Sequence, residues 1–341
     1  MAGTGTAHLR DGDVVLSVED LVVEYPAAGG QKVHAVSGVS FDVLRGETLG
    51  LVGESGCGKS TTGRAVVQLQ PATSGSVKLE GQELTTLHGE EMRRHRTRLQ
   101  MIFQDAIAAL NPRRKVRDIV AEAIDIWGAD PARSTEERID KILLDVGLDP
   151  DVVGDRMPGE FSGGQCQRIN IARALMLDPA VLVCDEPVSA LDVSVQAQIL
   201  NLLQDMKARY GLTMLFISHD LAVVKNVSDR IIVMYLGKIC EIADSEALYE
   251  SPAHPYTRVL LDSIPQPDPT RLLPDTAIVG EPPSPLDPPS GCRFRTRCDR
   301  ASDLCAREEP EIRALGGGRF VACHHPAEVP VAVGGAGSVT G

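Results

Sequence analysis

Apolar and polar residues alternate near the start of the chain, and compact apolar runs recur further along it. The alternation over 14–25 and 33–43 predicts two strands of an antiparallel sheet. Helical periodicity over 118–127 and 135–146 predicts helices inserted between two core strands. Four short, largely apolar runs predict those buried core strands, and they lie at 47–52, 99–105, 180–187 and 213–220. Together these elements predict an α/β fold.

The segment after the first buried run matches the phosphate-binding pattern G-x-x-x-x-G-K-S. It reads Gly53-Glu54-Ser55-Gly56-Cys57-Gly58-Lys59-Ser60, and a helical pattern begins at Thr61. Glycines let the backbone curl so that its N–H groups face phosphate oxygens, and the helix N-terminus adds a partial positive charge. We expect Lys59 to reach the β- and γ-phosphates and Ser60 to offer its hydroxyl to Mg²⁺. An accidental glycine-rich turn is the alternative, which the flanking strand and helix signals disfavour.

Acidic and polar side chains end three of the predicted core strands. Asp185 and Glu186 end the third run. In phosphate-loop nucleotide hydrolases an Asp at such a strand end holds Mg²⁺ through its water shell, and a second carboxylate can polarise the attacking water. His219 ends the fourth run, where it could contact the γ-phosphate, and Gln104 ends the second, where it could face the metal and the water. The alternatives are an acidic loop cap, a structural histidine and a loop glutamine.

Two further features are compatible with nucleotide binding. The turn Ser162-Gly163-Gly164-Gln165 opens a strong helical pattern, so a second anion site is possible at that helix N-terminus. The alternative is that Ser162 only caps the helix. Tyr25 ends the first predicted strand, where its ring could stack on a purine; a packed strand-end tyrosine is the alternative.

Composition and charge restrict the class of protein. The 341 residues carry a formal net charge of -13, which argues against nucleic acid as the main partner. No apolar run reaches the length of about eighteen residues that a membrane span needs, and the polar N-terminus does not fit a secretory signal. We expect residues 1–13 to be a disordered tail and the Pro-rich stretch 265–289 to be extended.

Four of the eight cysteines crowd into the last part of the chain. They follow the spacing C-x5-C-x6-C-x17-C, and they are Cys292, Cys298, Cys305 and Cys323. In a chain without a secretory signal, clustered cysteines favour metal binding over disulfides. Thiolates suit iron–sulfur clusters or zinc, whereas free buried cysteines are the alternative.

In this order the motifs resemble those of ABC transporter ATPase subunits, and the resemblance covers about residues 14–250. It implies a P-loop NTPase (RecA-like) core with an antiparallel β subdomain and an inserted α-helical subdomain at about 105–178. It also implies a head-to-tail dimer. Each ATP would lie between the phosphate loop of one cassette and the Ser-Gly-Gly-Gln turn of the other.

The resemblance also implies a role for each candidate residue. The residues expected at the chain's own nucleotide are Glu186 as general base, Asp185 and Ser60 at Mg²⁺, Gln104 as sensor of metal and water, His219 at the γ-phosphate, and Tyr25 on the adenine. The residues expected to contact the nucleotide of the other cassette are Ser162, Gly163, Gly164, Gln165 and Asp192, the last in a tight turn before a helix.

Two positions depart from the family pattern. Phe161 stands where Leu is common, and Cys166 stands where Arg or Gln usually follows the signature glutamine. We expect these changes to alter the dimer interface or the nearby packing and to leave catalysis intact.

The region beyond the cassette resembles the C-terminal extension of oligopeptide and dipeptide importers, a branch that also contains nickel importers. The resemblance rests on residues 251–258, on the four tail cysteines and on the segment Leu110-Asn111-Pro112-Arg113. It implies a cysteine-containing extension over 251–330, a flexible tail over 331–341 and a [4Fe–4S] site in preference to zinc.

The implied function is that of an ATP-binding and ATP-hydrolysing subunit that energises dipeptide or oligopeptide import by a bacterial ABC transporter. The implied partners are a second, different ATPase chain, two integral membrane permease subunits and an extracytoplasmic peptide-binding protein, with no nucleic acid. The chain would lie at the cytoplasmic face of the membrane, held by the permeases. The alternatives are an importer ATPase for nickel or another small solute, and a soluble ABC-type ATPase that works on ribosomes or DNA.

Overall fold

Two β-sheets form the framework of the chain, whose computed structural model describes residues 5–128, 134–264 and 280–328. The strands within these ranges are β1 (Val14–Pro26), β2 (Lys32–Leu44), β3 (Thr48–Val52), β4 (Ser74–Leu79), β5 (Gln82–Glu83), β6 (Leu99–Ile102), β7 (Val181–Asp185), β8 (Thr213–Ser218), β9 (Arg230–Tyr235), β10 (Lys238–Asp244), β11 (Arg313–Gly316) and β12 (Arg319–Val321). The smaller sheet has the order β2-β1-β4-β5 and is antiparallel. The larger sheet has the order β11-β12-β10-β9-β3-β8-β7-β6.

Parallel strands form the centre of the larger sheet. There β3 pairs in parallel with β8 and β9, and β7 pairs in parallel with β6 and β8. Strands β3, β7, β8 and β9 are buried along their whole length, which explains why their sequences are almost uniformly apolar. Because parallel strands point the same way, their carboxyl ends meet along one edge of the sheet. The phosphate loop and the polar residues predicted at strand ends all lie at that edge.

Helices cover the larger sheet and form the predicted insertion. They are α1 (Lys59–Val66), α2 (Gly89–His95), α3 (Val116–Trp127), α4 (Thr135–Asp145), α5 (Pro150–Val153), α6 (Gly163–Leu175), α7 (Val193–Tyr210), α8 (Leu221–Val227), α9 (Ser245–Glu250), α10 (Pro255–Asp262) and α11 (Asp303–Arg307). The insertion consists of α3 to α6 and lies between β6 and β7 in the chain. Among the described residues no helix is both long and apolar enough to span a membrane.

The larger sheet separates two hydrophobic cores. Leu215 and Ile217 of β8 pack into the core shared with the smaller sheet, whereas Met214 and Phe216 pack into the core shared with the helices. This division follows from the two-residue period of a strand, which sends successive side chains to opposite faces. Both faces of the central strands are therefore covered, and the sheet edge that carries the polar residues is held rigidly.

The C-terminal extension joins the larger sheet. Strand β12 pairs antiparallel with β10 of the cassette, and β11 pairs with β12. Phe294 of the extension is buried against Tyr235 at the end of β9 and Tyr256 of α10, with ring centroids 5.2 Å apart in both pairs. The extension thus packs directly on the strand end next to the phosphate loop. Of the stretch predicted to be extended, 265–279 lies outside the described residues, as does the whole of the predicted tail 331–341.

The N-terminal segment was expected to be disordered over 1–13. Residues 1–4 lie outside the described part, but residues 5–13 pack against the rest of the chain. His8 is fully buried, its Nε2 lies 2.6 Å from the Ser40 carbonyl oxygen, and its ring packs edge-on to Phe320. The Arg10 guanidinium donates hydrogen bonds to the carboxylates of Asp42 and Glu47. The expectation missed these contacts because a short polar segment carries no signal for ion pairs formed with distant strands.

Candidate nucleotide-binding site

A cleft of about 530 Å³ lies at the carboxyl edge of the parallel strands. Its walls come from the phosphate loop, the ends of three core strands, the smaller sheet and the extension. The lining residues are Tyr25, Val33, Ala35, Ser55, Gly56, Gly58, Lys59, Ser60, Thr61, Gln104, Glu186, His219 and Pro285. The cleft lining therefore includes ten of the fourteen residues predicted to meet the chain's own nucleotide, and the four that do not line it are Gly53, Glu54, Cys57 and Asp185. Val33, Ala35 and Pro285 were not predicted, because they belong to no motif.

The backbone of the phosphate loop needs its glycines. Gly58, the residue before α1, has φ +104°, and a Cβ there would lie 2.2 Å from the Ala35 carbonyl oxygen. Gly53 has φ +154°, and its Cβ would lie 2.1 Å from the Met234 carbonyl oxygen. Any side chain at these positions would be both strained and sterically blocked. The loop can therefore curl tightly over the N-terminus of α1.

Lys59 is held beneath the loop. Lys59 is only 4% exposed. Its Nζ donates hydrogen bonds to the carbonyl oxygens of Gly53 at 2.8 Å and of Glu54 at 3.0 Å. Both acceptors are neutral carbonyl oxygens, so they leave the positive charge of the ammonium group unneutralised. A phosphate oxygen that approached Nζ would therefore make a charge-assisted hydrogen bond. The loop thus presents a pre-positioned cation beside the helix N-terminus.

Ser60 and Asp185 form the candidate Mg²⁺ site. The Ser60 hydroxyl donates to Oδ1 of Asp185 at 2.7 Å, which joins the start of α1 to the end of β7. Asp185 is 1% exposed, and burial raises the pKa of its carboxyl, an effect that the Ser60 hydrogen bond partly offsets. A hydroxyl and a carboxylate are oxygen ligands of the kind that Mg²⁺ prefers. Their chemistry fits the ion that the sequence predicts.

Glu186 lies between two other predicted catalytic residues. Its Oε2 accepts a hydrogen bond from Gln104 Nε2 at 3.0 Å, and its Oε1 lies 3.1 Å from Nδ1 of His219. Glu186 has φ +48°, a left-handed conformation that is strained for a non-glycine residue. Its carboxylate is nevertheless mostly buried, with 13% of the side chain exposed. The ends of β6, β7 and β8 therefore converge on one carboxylate in the cleft.

The second glycine turn does not line this cleft. The Ser162 hydroxyl accepts from Gln165 N–H at 3.4 Å, and Gln165 Oε1 accepts from Ser162 N–H at 3.0 Å, so the turn is a reciprocal cap of α6. A Cβ on Gly164 would lie 2.5 Å from Cγ1 of Val195, and Gly163 lies beside Leu191. Ser162, Gln165 and Asp192 are exposed. Ser162 therefore caps α6, and none of the four turn residues is among those that line the chain's own cleft.

The two departures from the family pattern have different surroundings. Cys166 is fully buried, and its Sγ lies 3.6 Å from the Pro158 carbonyl oxygen. Burial raises the pKa of its thiol. Phe161 is partly exposed, with the Arg156 guanidinium 4.6 Å from its ring centroid. Cys166 therefore contributes to packing inside the helical insertion.

The four C-terminal cysteines lie close to one another. Cys292 N–H donates to the Cys305 carbonyl oxygen at 2.8 Å. Burial, together with the nearby charges of Cys292, Cys298 and Cys305, raises the pKa of Cys323 to about 12. All four are free thiols. Within the described ranges, however, no group of three or more His, Cys, Asp or Glu side chains is arranged to hold a metal ion.

Comparison with known proteins places these features in a family. The family described as "ABC transporter" matches residues 36–189, and the one described as "Oligopeptide/dipeptide transporter, C-terminal region" matches residues 240–305. The chain is 48% identical over 310 residues to the oligopeptide transport ATP-binding protein OppF of Escherichia coli (strain K12), covering 88% of this chain and 92% of that protein.

Further relatives agree in sequence and in structure. A putative peptide import ATP-binding protein of Brucella ovis is 52% identical over 309 residues, covering 91% of this chain and 97% of the relative. The dimeric post-hydrolysis structure of the ATP-binding cassette MJ0796 bound to ADP and Pi superposes with a TM-score of 0.61 at 26% identity, covering 67% of this chain and 98% of that one. These matches confirm the predicted fold class and the predicted resemblance.

Proposed function

This chain belongs to the ABC transporter family as an ATP-binding subunit of the oligopeptide/dipeptide type, and we propose how its residues bind and hydrolyse ATP. The chain uses ATP hydrolysis to energise peptide import, and its relatives are named oligopeptide transport ATP-binding proteins. The observation that carries the residue assignment is the Glu186 carboxylate, which Gln104 and His219 hold in the cleft that the phosphate loop lines.

In the proposed mechanism the phosphate loop binds the triphosphate. The N–H groups of the loop and of the first turn of α1 receive the β- and γ-phosphate oxygens, and Lys59 adds its charge. Ser60 and Asp185 would hold Mg²⁺, which would supply positive charge to neutralise the phosphates. Gly53, Glu54 and Cys57 shape the loop, whereas Ser55, Gly56, Gly58 and Thr61 line the cleft directly. Tyr25 provides the wall against which the adenine stacks.

Glu186 is the proposed general base. It draws a proton from a water molecule as the water oxygen bonds to the γ-phosphorus, and the bond from that phosphorus to the ADP oxygen breaks. Gln104 and His219 fix the orientation of the carboxylate, and His219 contacts the γ-phosphate. The short distances from both side chains to Glu186 support this arrangement.

A second ATPase subunit, a different chain, is proposed to complete each ATP site. The turn Ser162-Gly163-Gly164-Gln165 and Asp192 would contact the nucleotide held by that partner. What supports this is the exposure of Ser162, Gln165 and Asp192 and the absence of the turn from the chain's own cleft lining, together with a structural relative whose title describes a dimer. The same N-terminus of α6 would then bind phosphate from outside the chain.

Two integral membrane permease subunits are the proposed partners at the helical insertion. A groove of about 380 Å³ lies there, with an apolar lining that includes Phe103, Ile126 and Trp127. Leu69 and Ile126 are each 51% exposed at this groove, which is costly unless a partner covers them. Phe103 lines the groove and the next residue, Gln104, lines the cleft, so permease contact and ATP contact are adjacent along the backbone. The proposed location is accordingly the cytoplasmic face of the membrane.

An extracytoplasmic peptide-binding protein is proposed to deliver the cargo, and no nucleic acid is involved. The experiment is uptake of labelled dipeptide and of nickel by a strain that lacks this chain, with and without the chain restored. Restored dipeptide uptake is the expected result. Restored nickel uptake alone would replace the peptide assignment with the small-solute alternative, and restoration of neither would contradict a transport role.

A [4Fe–4S] cluster on Cys292, Cys298, Cys305 and Cys323 is proposed as a separate feature of the extension. What supports it is a group of four neighbouring thiols. A single zinc ion is disfavoured, because the spacing C-x5-C-x6-C-x17-C is looser than that of ordinary zinc ribbons. A four-iron cluster accepts more widely spaced sulfurs, because each thiolate binds a different iron.

A further inference from the structure

The C-terminal extension makes a two-pronged ion pair with the phosphate loop. Nη1 of Arg297 lies 2.7 Å from Oε2 of Glu54, and Nη2 lies 3.0 Å from Oε1. The Arg297 side chain is 5% exposed and that of Glu54 24%. A bidentate pair of this kind fixes the orientation of a carboxylate as well as its charge. The extension therefore holds the second residue of the loop by its side chain.

A second contact from beyond the cassette holds the backbone of the same residue. The Tyr256 hydroxyl, on α10, accepts a hydrogen bond from Glu54 N–H at 2.9 Å. Tyr256 is fully buried, and its ring packs edge-on against Tyr235 at a centroid distance of 4.7 Å. The Glu54 carbonyl oxygen accepts from Lys59 Nζ. Glu54 is thus fixed at its N–H, its carbonyl and its carboxylate, and two of the three contacts come from outside the cassette.

We propose that Arg297 and Tyr256 are positioning residues for ATP binding, through which the C-terminal extension holds the phosphate loop in its binding conformation. This inference rests on the proposed function, namely that the loop and Lys59 bind the triphosphate. Tyr256 holds the N–H of Glu54, and Lys59 holds the carbonyl oxygen of the same residue. Arg297 neutralises a carboxylate that would otherwise lie unpaired beside a polyanionic ligand.

The geometry of Arg297 fits this role. Besides Glu54, its guanidinium donates to the Tyr235 hydroxyl at 3.3 Å, while its buried Nε has no hydrogen-bond partner among the described residues. Tyr235 ends β9, which pairs with the strand that leads into the loop. One guanidinium therefore connects the loop, the central sheet and the extension. Loss of the guanidinium should lower the fraction of chains whose loop is in the binding conformation, and the apparent Kd for ATP equals the intrinsic Kd divided by that fraction.

The test compares full-length variants for Mg-ATP affinity by calorimetry, and for KM and kcat in the transporter assembled with its permeases. Arg297→Met should raise Kd and KM for ATP about tenfold with kcat within about twofold, and Arg297→Lys should recover part of the loss. Adding Glu54→Gln to Arg297→Met should weaken affinity no further, because the two residues act as one pair. Arg295→Met is the matched control, since Arg295 lies in the same turn and its guanidinium donates hydrogen bonds to Ser290 and not to the phosphate loop.

The outcomes separate this inference from the site assignment. If Arg297→Met lowers the unfolding temperature but leaves KM for ATP unchanged, or if Arg295→Met has the same effect on KM, the positioning role is wrong. Lys59→Ala should weaken ATP binding regardless; if it does not, the proposed function itself fails. Should Arg297→Met not fold, Tyr256→Phe removes only one hydroxyl and must still raise KM, or the inference is overturned.

Discussion

Nδ1 of His219 lies 3.1 Å from Oε1 of Glu186, on the neighbouring strand end, and Gln104 holds the other carboxylate oxygen. Each residue comes from a different parallel strand. The carboxylate therefore has a defined direction before any ligand arrives, which is the condition for an effective general base. The same residue has a left-handed backbone, with φ +48°, which is uncommon for a non-glycine residue.

We expect Glu186→Gln to lower ATP turnover by at least about a hundredfold, because a general base contributes roughly that much to a rate. The amide preserves the shape and the contact with Gln104, so ATP binding should persist and a closed dimer with the second ATPase should accumulate. Phosphate release and size-exclusion chromatography with ATP measure the two effects. Glu250→Gln, on α9, is the control. Turnover equal to that of the unchanged chain would contradict the assignment.

The strand-end residues could be predicted from the sequence because the reason for their proximity is local. Asp185, Glu186 and His219 each follow an apolar run, and parallel strands bring such ends to one edge. Arg297 and Tyr256 could not be predicted in this way. Their contacts with Glu54 join positions far apart in the chain, in a region where turns and short helices carry no periodic signal. The burial of Cys166 likewise depends on how α6 packs, which the motif alone does not specify.

His254 should make stability depend on pH. It is fully buried, and burial lowers the pKa of its imidazole to about 3. In the unfolded chain a histidine titrates near 6.5, so between pH 6.5 and 3 the unfolded state binds more protons and stability falls as the pH falls. The titration of His254 alone should lower the free energy of unfolding by about 2 kcal/mol when the pH falls from 7 to 5.

The matched variant for this prediction is His254→Asn. His254 Nδ1 accepts from Tyr256 N–H at 3.0 Å as the cap of α10, and asparagine can accept the same bond without titrating. Glu241, which accepts from the His254 backbone N–H, is present in both proteins and its titration largely cancels in the comparison. Urea unfolding at pH 7 and pH 5 should show a smaller loss for the variant. Equal losses would show that His254 does not carry the effect.

Protein purified without oxygen should contain iron and sulfide near four atoms each per chain if the four-cysteine proposal is right. Thiols bind iron as thiolates, and burial raises the pKa of Cys292 to about 11, so binding must displace protons. A Cys298→Ser, Cys305→Ser variant should lose the iron and the visible absorption. Colourless protein with four reactive thiols and no iron would contradict the proposal, while leaving the ATP site unaffected.

Ile126→Asp should prevent assembly with the permeases and leave ATP binding by the isolated chain unchanged. The side chain is 51% exposed on α3 and lines the apolar groove of the helical insertion, so a carboxylate there would be buried without a partner when a permease docks. Leu144→Asp is the matched control, because Leu144 is 59% exposed on α4 and does not line that groove. Co-purification with tagged permeases and calorimetry with Mg-ATP measure the two properties. If Ile126→Asp assembles as well as Leu144→Asp does, the permeases contact a different surface, and the adjacency of Phe103 and Gln104 does not couple transport to hydrolysis.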